Sequence, residues 1–164
     1  MIATAPSLTD QGKSLLMRAI GGEEITFTRF KVGSGSLAAG QTIDSLTDLI
    51  TPVLAFGISD MDASQEGMLA LTGEFDNSDV DADFTWRELG IFAQGEDETE
   101  ILYAYSNDGA MAGVVRQLNT DVITLQEVTM IIAIGEAENV TAVYSPYSAA
   151  SAAIHISLKP PRTF

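Results

Sequence analysis

Only one stretch of this chain spaces its apolar residues for a helix of useful length, and that fact does most to limit the folds open to it. Leu15, Leu16, Ala19 and Ile20 recur at helical intervals. Thr9 stands where an N-cap belongs, Asp10 complements the helix dipole, and Gly21-Gly22 supplies the stop. The spacing predicts one amphipathic helix over residues 8–20. A second, shorter helix is predicted over 45–50, where Leu46, Leu49 and Ile50 share a face and Pro52 blocks continuation.

The remainder reads as strand and turn. Residues 25–32 are rich in β-branched and aromatic side chains, but their apolar parity flips between Phe27 and Phe30. Either both faces of that strand are covered or a bulge near Arg29 shifts its register. Leu54, Phe56 and Ile58 alternate, as do Leu69, Leu71 and Phe75, which predicts a hairpin across a polar loop at 60–67. Four more strands are expected at 84–93, 101–105, 122–134 and 140–144. A turn is expected at 95–98 and a longer loop at 106–120. The prediction is an α+β domain built on a mostly antiparallel sheet or sandwich, with an N-terminal amphipathic helix and one short helix. It spans residues 1–144. Residues 145–164 read as an extended C-terminal tail, with a run of Ser and Ala, then alternating Ile154, Ile156 and Leu158, then Lys159 and Arg162.

Composition narrows the function classes. At 164 residues the chain has the size of one domain, and 46% apolar against 19% charged residues is a globular balance. Eight Lys and Arg against 23 Asp and Glu leave a formal charge of -15, which repels phosphate backbones and anionic membranes alike. No nucleic-acid or membrane partner is therefore expected. Cysteine is absent, so disulfides and thiolate chemistry are too. The N-terminal residues lack a basic segment and a long apolar run, which argues against a signal peptide, and Met130 to Ile134 falls far short of the ~20 residues a membrane span needs. The expectation is a soluble acidic protein.

Motifs that carry chemistry fail on inspection. Gly33-Ser34-Gly35-Ser36-Leu37-Ala38 matches a dinucleotide fingerprint in form, but no helix begins after it to hold a pyrophosphate, and a turn is expected. Asp79, Asp81 and Asp83 have calcium-loop spacing, yet Phe84 stands at the glycine position and Gly90 at the glutamate position. A looser calcium site through Asp76, Asp79, Asp81 and Asp83 is one reading, and a solvated acidic loop is the other. His155 is the single histidine, so neither an ordinary zinc set nor a catalytic constellation is expected, and no cofactor. The sequence singles out no enzyme active site. Arg87 is the lone cation between Lys31 and Arg116, a span holding 16 acids, and is expected to pair with a neighbouring carboxylate beside Trp86 and Glu88.

Six blocks in order carry a resemblance: residues 8–16 (LTDQGKSLL), 25–35 (ITFTRFKVGSG), 45–49 (SLTDL), 84–93 (FTWRELGIFA), 100–107 (EILYAYSN) and 126–142. The series resembles the phage tail-collar family, the N-terminal domain of many tail fibre proteins, and covers roughly residues 6–144. The resemblance implies a virion structural protein, made in the bacterial host cytoplasm, that attaches a fibre to the baseplate of a tail or related contractile particle. It implies baseplate and fibre subunits as partners, a homotrimer, and no catalytic residues. Family members often lead a much longer chain. This sequence ends at Phe164, which gives the expectation of a connector or a very short fibre. An acidic β-rich module for calcium or carbohydrate is the alternative.

Two partner-binding elements are expected. Ile154, Ile156 and Leu158, with Lys159 and Arg162, can add as a strand to a neighbour's sheet edge, the alternatives being an unstructured terminus or a last strand of the same domain. Lys13 and Arg18 put two of the eight cations on the opening helix, where they face either an acidic partner or solvent.

Overall fold

A computed structural model describes residues 2–3, 6–107, 113–118 and 123–144. The expected tail at 145–164 and its Ile154, Ile156, Leu158, Lys159 and Arg162 lie outside the described residues. Strands β1 (Ile2–Ala3) and β2 (Ser7–Leu8) precede helix α1 (Asp10–Ile20), and β3 (Ile25–Gly33) follows it. After a 3-10 turn at Ile43–Ser45 come β4 (Pro52–Phe56), β5 (Asp60–Asp62), β6 (Met68–Asp76), β7 (Phe84–Thr85) and β8 (Glu88–Gln94). The chain continues through β9 (Glu100–Asn107), β10 (Val114–Val115), β11 (Leu125–Ala133) and β12 (Val140–Ala142). The described residues are mostly β-sheet with one α-helix, a β-rich α+β architecture.

The larger sheet runs β12-β3-β8-β9-β2, with β4 sharing the outer edge of β3, and the smaller runs β1-β11-β6-β5. Pairing is antiparallel except for β1 with β11 and β12 with β3. One core lies between the sheets. Phe27, Phe30, Leu89, Ile91 and Tyr103 come from the larger sheet, and Leu69, Leu71, Val128 and Met130 from the smaller. The expected flip in β3 is a bulge: the register to β8 shifts between Phe27 and Arg29, which returns Phe30 to the core and leaves Arg29 exposed.

Four expectations need correction. No α-helix forms over 45–50. Leu46 and Leu49 are buried as predicted, but on the far side of the larger sheet with Phe92, Leu102 and Tyr105, and the backbone there serves other bonds. The hairpin partner of β6 is β5, inside the predicted polar loop, while β4 pairs with β3. Alternation names a buried face, not a neighbour. The strand predicted at 84–93 breaks at Trp86 and Arg87, whose N–H groups donate to Gly113 and Gly33 carbonyls. The loop predicted at 106–120 contains β10, which pairs with β7.

Helix α1 forms as its sequence dictates. The Thr9 hydroxyl accepts from the Gly12 amide at 3.0 Å and itself donates to the Leu102 carbonyl, so the cap is also a tie to β9. At the other end Gly22 adopts φ 111°, and the Gly22 and Glu23 amides donate back to Ala19 and Arg18 carbonyls in a Schellman closure. Gly12 allows the helix to touch the sheet, because a Cβ built there would lie 2.1 Å from the Tyr103 carbonyl oxygen. Tyr103 completes the path by donating its hydroxyl to the Ala133 carbonyl of the smaller sheet at 2.8 Å.

Gly12→Ala is expected to destabilise the protein by about 3 kcal/mol, because backbone rather than a flexible side chain must move. Urea denaturation of the variant beside Lys13→Ala, which should fall within roughly 0.5 kcal/mol of the parent, checks this.

Candidate functional site

Residues from three of the sequence blocks, 25–35, 84–93 and 100–107, meet at the start of β8. Glu88 is fully buried, and among the described residues no Lys or Arg forms an ion pair with its carboxylate. An ionised group in that position must be satisfied by dipoles. Four donors do so. Oε1 accepts from the Ile50 amide at 2.6 Å and the Tyr105 hydroxyl at 2.7 Å. Oε2 accepts from the Gly35 amide at 2.8 Å and the Thr51 amide at 2.9 Å. Both oxygens are thereby filled, and the carboxylate works as a latch that holds three separate segments.

Its neighbours extend the latch. Asn107 donates to the Gly35 carbonyl at 3.0 Å and to the Tyr105 hydroxyl at 2.9 Å. Burial pushes the Tyr105 hydroxyl above its ordinary pKa, so it stays a neutral donor to Glu88. The Trp86 indole donates to the Glu88 carbonyl at 3.0 Å, and its ring meets Phe75 edge-on at 5.4 Å. Among the described residues Arg87 makes no carboxylate pair. Its guanidinium donates to the Ser34 carbonyl at 3.0 Å, because its own amide, just before β8, bonds the Gly33 carbonyl and holds it beside the 33–35 turn. The glycine-rich turn is thus a loop pinned by Glu88 and Arg87, and no helix follows it.

The acidic loop divides its carboxylates. Asp83 accepts from Arg116 at 2.9 Å and from the Gln117 amide at 2.8 Å, and Asp76 accepts from the amide and hydroxyl of Ser78. Among the described residues no group of three or more acids or histidines is arranged to hold a metal ion. At the far end of α1 a groove of about 620 Å³ is lined by Ile20, Gly22, Glu66, Glu136, Glu138 and Asn139. No helix among the described residues is long and apolar enough to cross a membrane.

The predicted helix cations are engaged within the chain. Lys13 lies 3.7 Å from Asp44, and Arg18 lies 3.4 Å from the half-buried Glu23 and 3.6 Å from Asp97. The latch residues Gly35, Ile50, Thr51, Tyr105 and Asn107 were invisible as a group in the sequence. The one signal was Glu88 itself, a carboxylate set inside an otherwise apolar strand. No family model matches the chain, and neither a curated protein nor a solved structure is significantly similar to it.

Glu88→Gln keeps the shape but turns an N–H₂ group toward N–H and O–H donors. It is expected to cost about 3 kcal/mol, read as a lower urea midpoint at unchanged slope. Asp83 is held below the usual carboxylate pKa, first by the Gln117 amide and then by Arg116. Its contact is therefore complete above the ordinary value of about 3.9 and is lost as pH falls through the lower native value. A carboxyl-carbon NMR titration should show that lowered midpoint, and Arg116→Ala should raise it only part of the way.

Proposed function

We propose that the chain is a structural protein of a phage tail or related contractile particle, attaching or connecting a tail fibre to the baseplate. The observation that carries this reading is the convergence of its motif blocks. Residues from four of the six blocks (Thr9; Gly33 to Gly35; Trp86 to Glu88; Leu102 to Asn107) are tied together by hydrogen bonds within one framework. A joining part has to keep its shape under load, and that need is met by buried cross-links rather than by reactive groups.

Exposed apolar surface supports the same reading. Leu118, Ile123 and Leu125 are 39%, 60% and 55% exposed. They gather around the 76–80 loop, where the Leu118 amide donates to Val80 and the Thr124 amide to Asn77. Such a patch fits a protein–protein contact. On this reading residues 1–144 are the attachment domain, residues 145–164 a tail available to neighbours, and the working form a homotrimer in the virion, bound to baseplate and fibre subunits.

Mass photometry at nanomolar concentration should find a trimer of the 17.4 kDa chain, and co-expression with the products of adjacent reading frames should retain a baseplate or fibre subunit. A monomer that retains none of them overturns the proposal. A melting shift that saturates at stoichiometric calcium would instead favour the calcium-binding module.

A further inference from the structure

Residues 34–51 leave the larger sheet after β3 and return to it at β4, covering its outer face without adding a strand to it. Their one regular element is the 3-10 turn at Ile43–Ser45. A connection this long with so little structure of its own is uncommon, and such loops usually carry a function. The two ends meet. The Ser34 amide donates to the Thr51 carbonyl at 3.0 Å, and a Cβ on Gly33 would lie 2.4 Å from that same carbonyl oxygen. The segment thus has the build of an Ω-loop, joined at its neck and packed by its own side chains.

What the segment packs on is separate from the main core. Leu46 and Leu49 lie with Phe92, Leu102 and Tyr105, and Leu37, Ile43 and Ile50 pack around them. Leu89, Ile91, Ala93 and Tyr103, on the same two strands, belong instead to the core between the sheets. Lifting residues 34–51 therefore leaves that core and the strand pairings of both sheets in place. Within the segment only Gly35, Leu46 and Leu49 are buried, so little apolar burial holds it down.

Its polar ties converge on one point. The Gly35, Ile50 and Thr51 amides all donate to the Glu88 carboxylate. The Gly35 carbonyl accepts from Asn107, which also donates to the Tyr105 hydroxyl, and the Ser34 carbonyl accepts from Arg87. Farther out, Asp48 meets Lys31 at 3.2 Å and Asp44 meets Lys13 at 3.7 Å. Three amides that share one carboxylate are released together. Their release also returns that carboxylate to water, which offsets part of the cost of breaking the bonds.

We propose that residues 34–51 are a lid, opening and closing as one unit on an intact two-sheet body with Glu88 as its catch. Opening bares Phe92, Leu102 and Tyr105, so the lid controls access to the outer face of the larger sheet. The lid rests on the fold alone and stands apart from the tail-fibre reading.

Hydrogen exchange of the full chain, followed residue by residue through a series of low urea concentrations, tests this. The Gly35, Ile50 and Thr51 amides should share one opening free energy and one urea slope. That slope should be roughly a tenth to a fifth of the slope for amides inside β6 and β11. Leu71→Ala, in the main core, should cut the protection of the β6 and β11 amides by about a hundredfold. It should leave the three lid amides unchanged, because Leu71 stays packed while the lid is open. Leu46→Ala, in the lid itself, should cut the protection of those three by about a hundredfold. Lid amides that follow the slope of the sheet amides, or that respond to Leu71→Ala as the sheets do, would mean that the segment leaves only on global unfolding, and the lid would be abandoned. Three unrelated openings with slopes near zero, the mark of single bonds fluctuating, would remove it equally. The slopes come from the parent chain, so the comparison holds even if a variant fails to fold.

Discussion

Taking the Glu88 carboxylate out of water is the step on which the rest of this structure depends. An unsatisfied buried carboxylate costs several kcal/mol even after relaxation, so the site is tolerable only if every donor arrives. Three of the four donors are backbone amides, of Gly35, Ile50 and Thr51, and a backbone amide can be aimed only by fixing its segment. The turn after β3 and the approach to β4 therefore have one course open to them. The same demand explains the missing helix at 45–50, since amides that bond Glu88 cannot close helical turns. Once that segment is pinned, Leu46 and Leu49 cover the far side of the larger sheet, and β8 becomes buried on both faces.

A second set of ties links the latch to the rest. Tyr105 in the latch and Tyr103 in the core are neighbours on β9, one on each face of the strand. Tyr103 reaches across the core to the Ala133 carbonyl, while its own backbone carbonyl accepts from the Thr9 amide at the start of α1. Helix, larger sheet and smaller sheet are thus joined through one strand. The Thr9 cap and the missing side chain at Gly12 set the distance at which the helix docks.

Local chemistry was legible in the sequence where it acts on its neighbours in the chain. The α1 cap and closure, the β3 bulge and the turn at 95–98, where the Glu98 amide donates to Gly95, follow from residues a few positions apart. Partner choice was not. Leu54 and Phe56 announce a buried face, but whether β4 pairs with β6 or β3 depends on which edge is vacant when the strands assemble. The latch was hidden for the same reason. Glu88, Tyr105 and Gly35 are remote in sequence, and each has an ordinary local role: strand start, strand aromatic, turn glycine. Arg87 was misassigned because charge counting looks for the nearest acid, whereas a guanidinium anchored beside a tight turn finds carbonyl oxygens first.

Charge then constrains how such a surface can meet another. With 23 acids and eight bases in the chain, and six of those bases engaged within the described residues, the outward field is strongly negative. Two copies approaching face to face repel unless apolar contact or a supplied cation offsets the cost. The Leu118, Ile123 and Leu125 patch is an apolar contact of that kind, and Lys159 and Arg162 are cations the chain carries itself. A surface of this kind associates only where its few apolar openings are matched or its acids are met by bases, so any contact between copies has to be made through the apolar openings and not acid against acid.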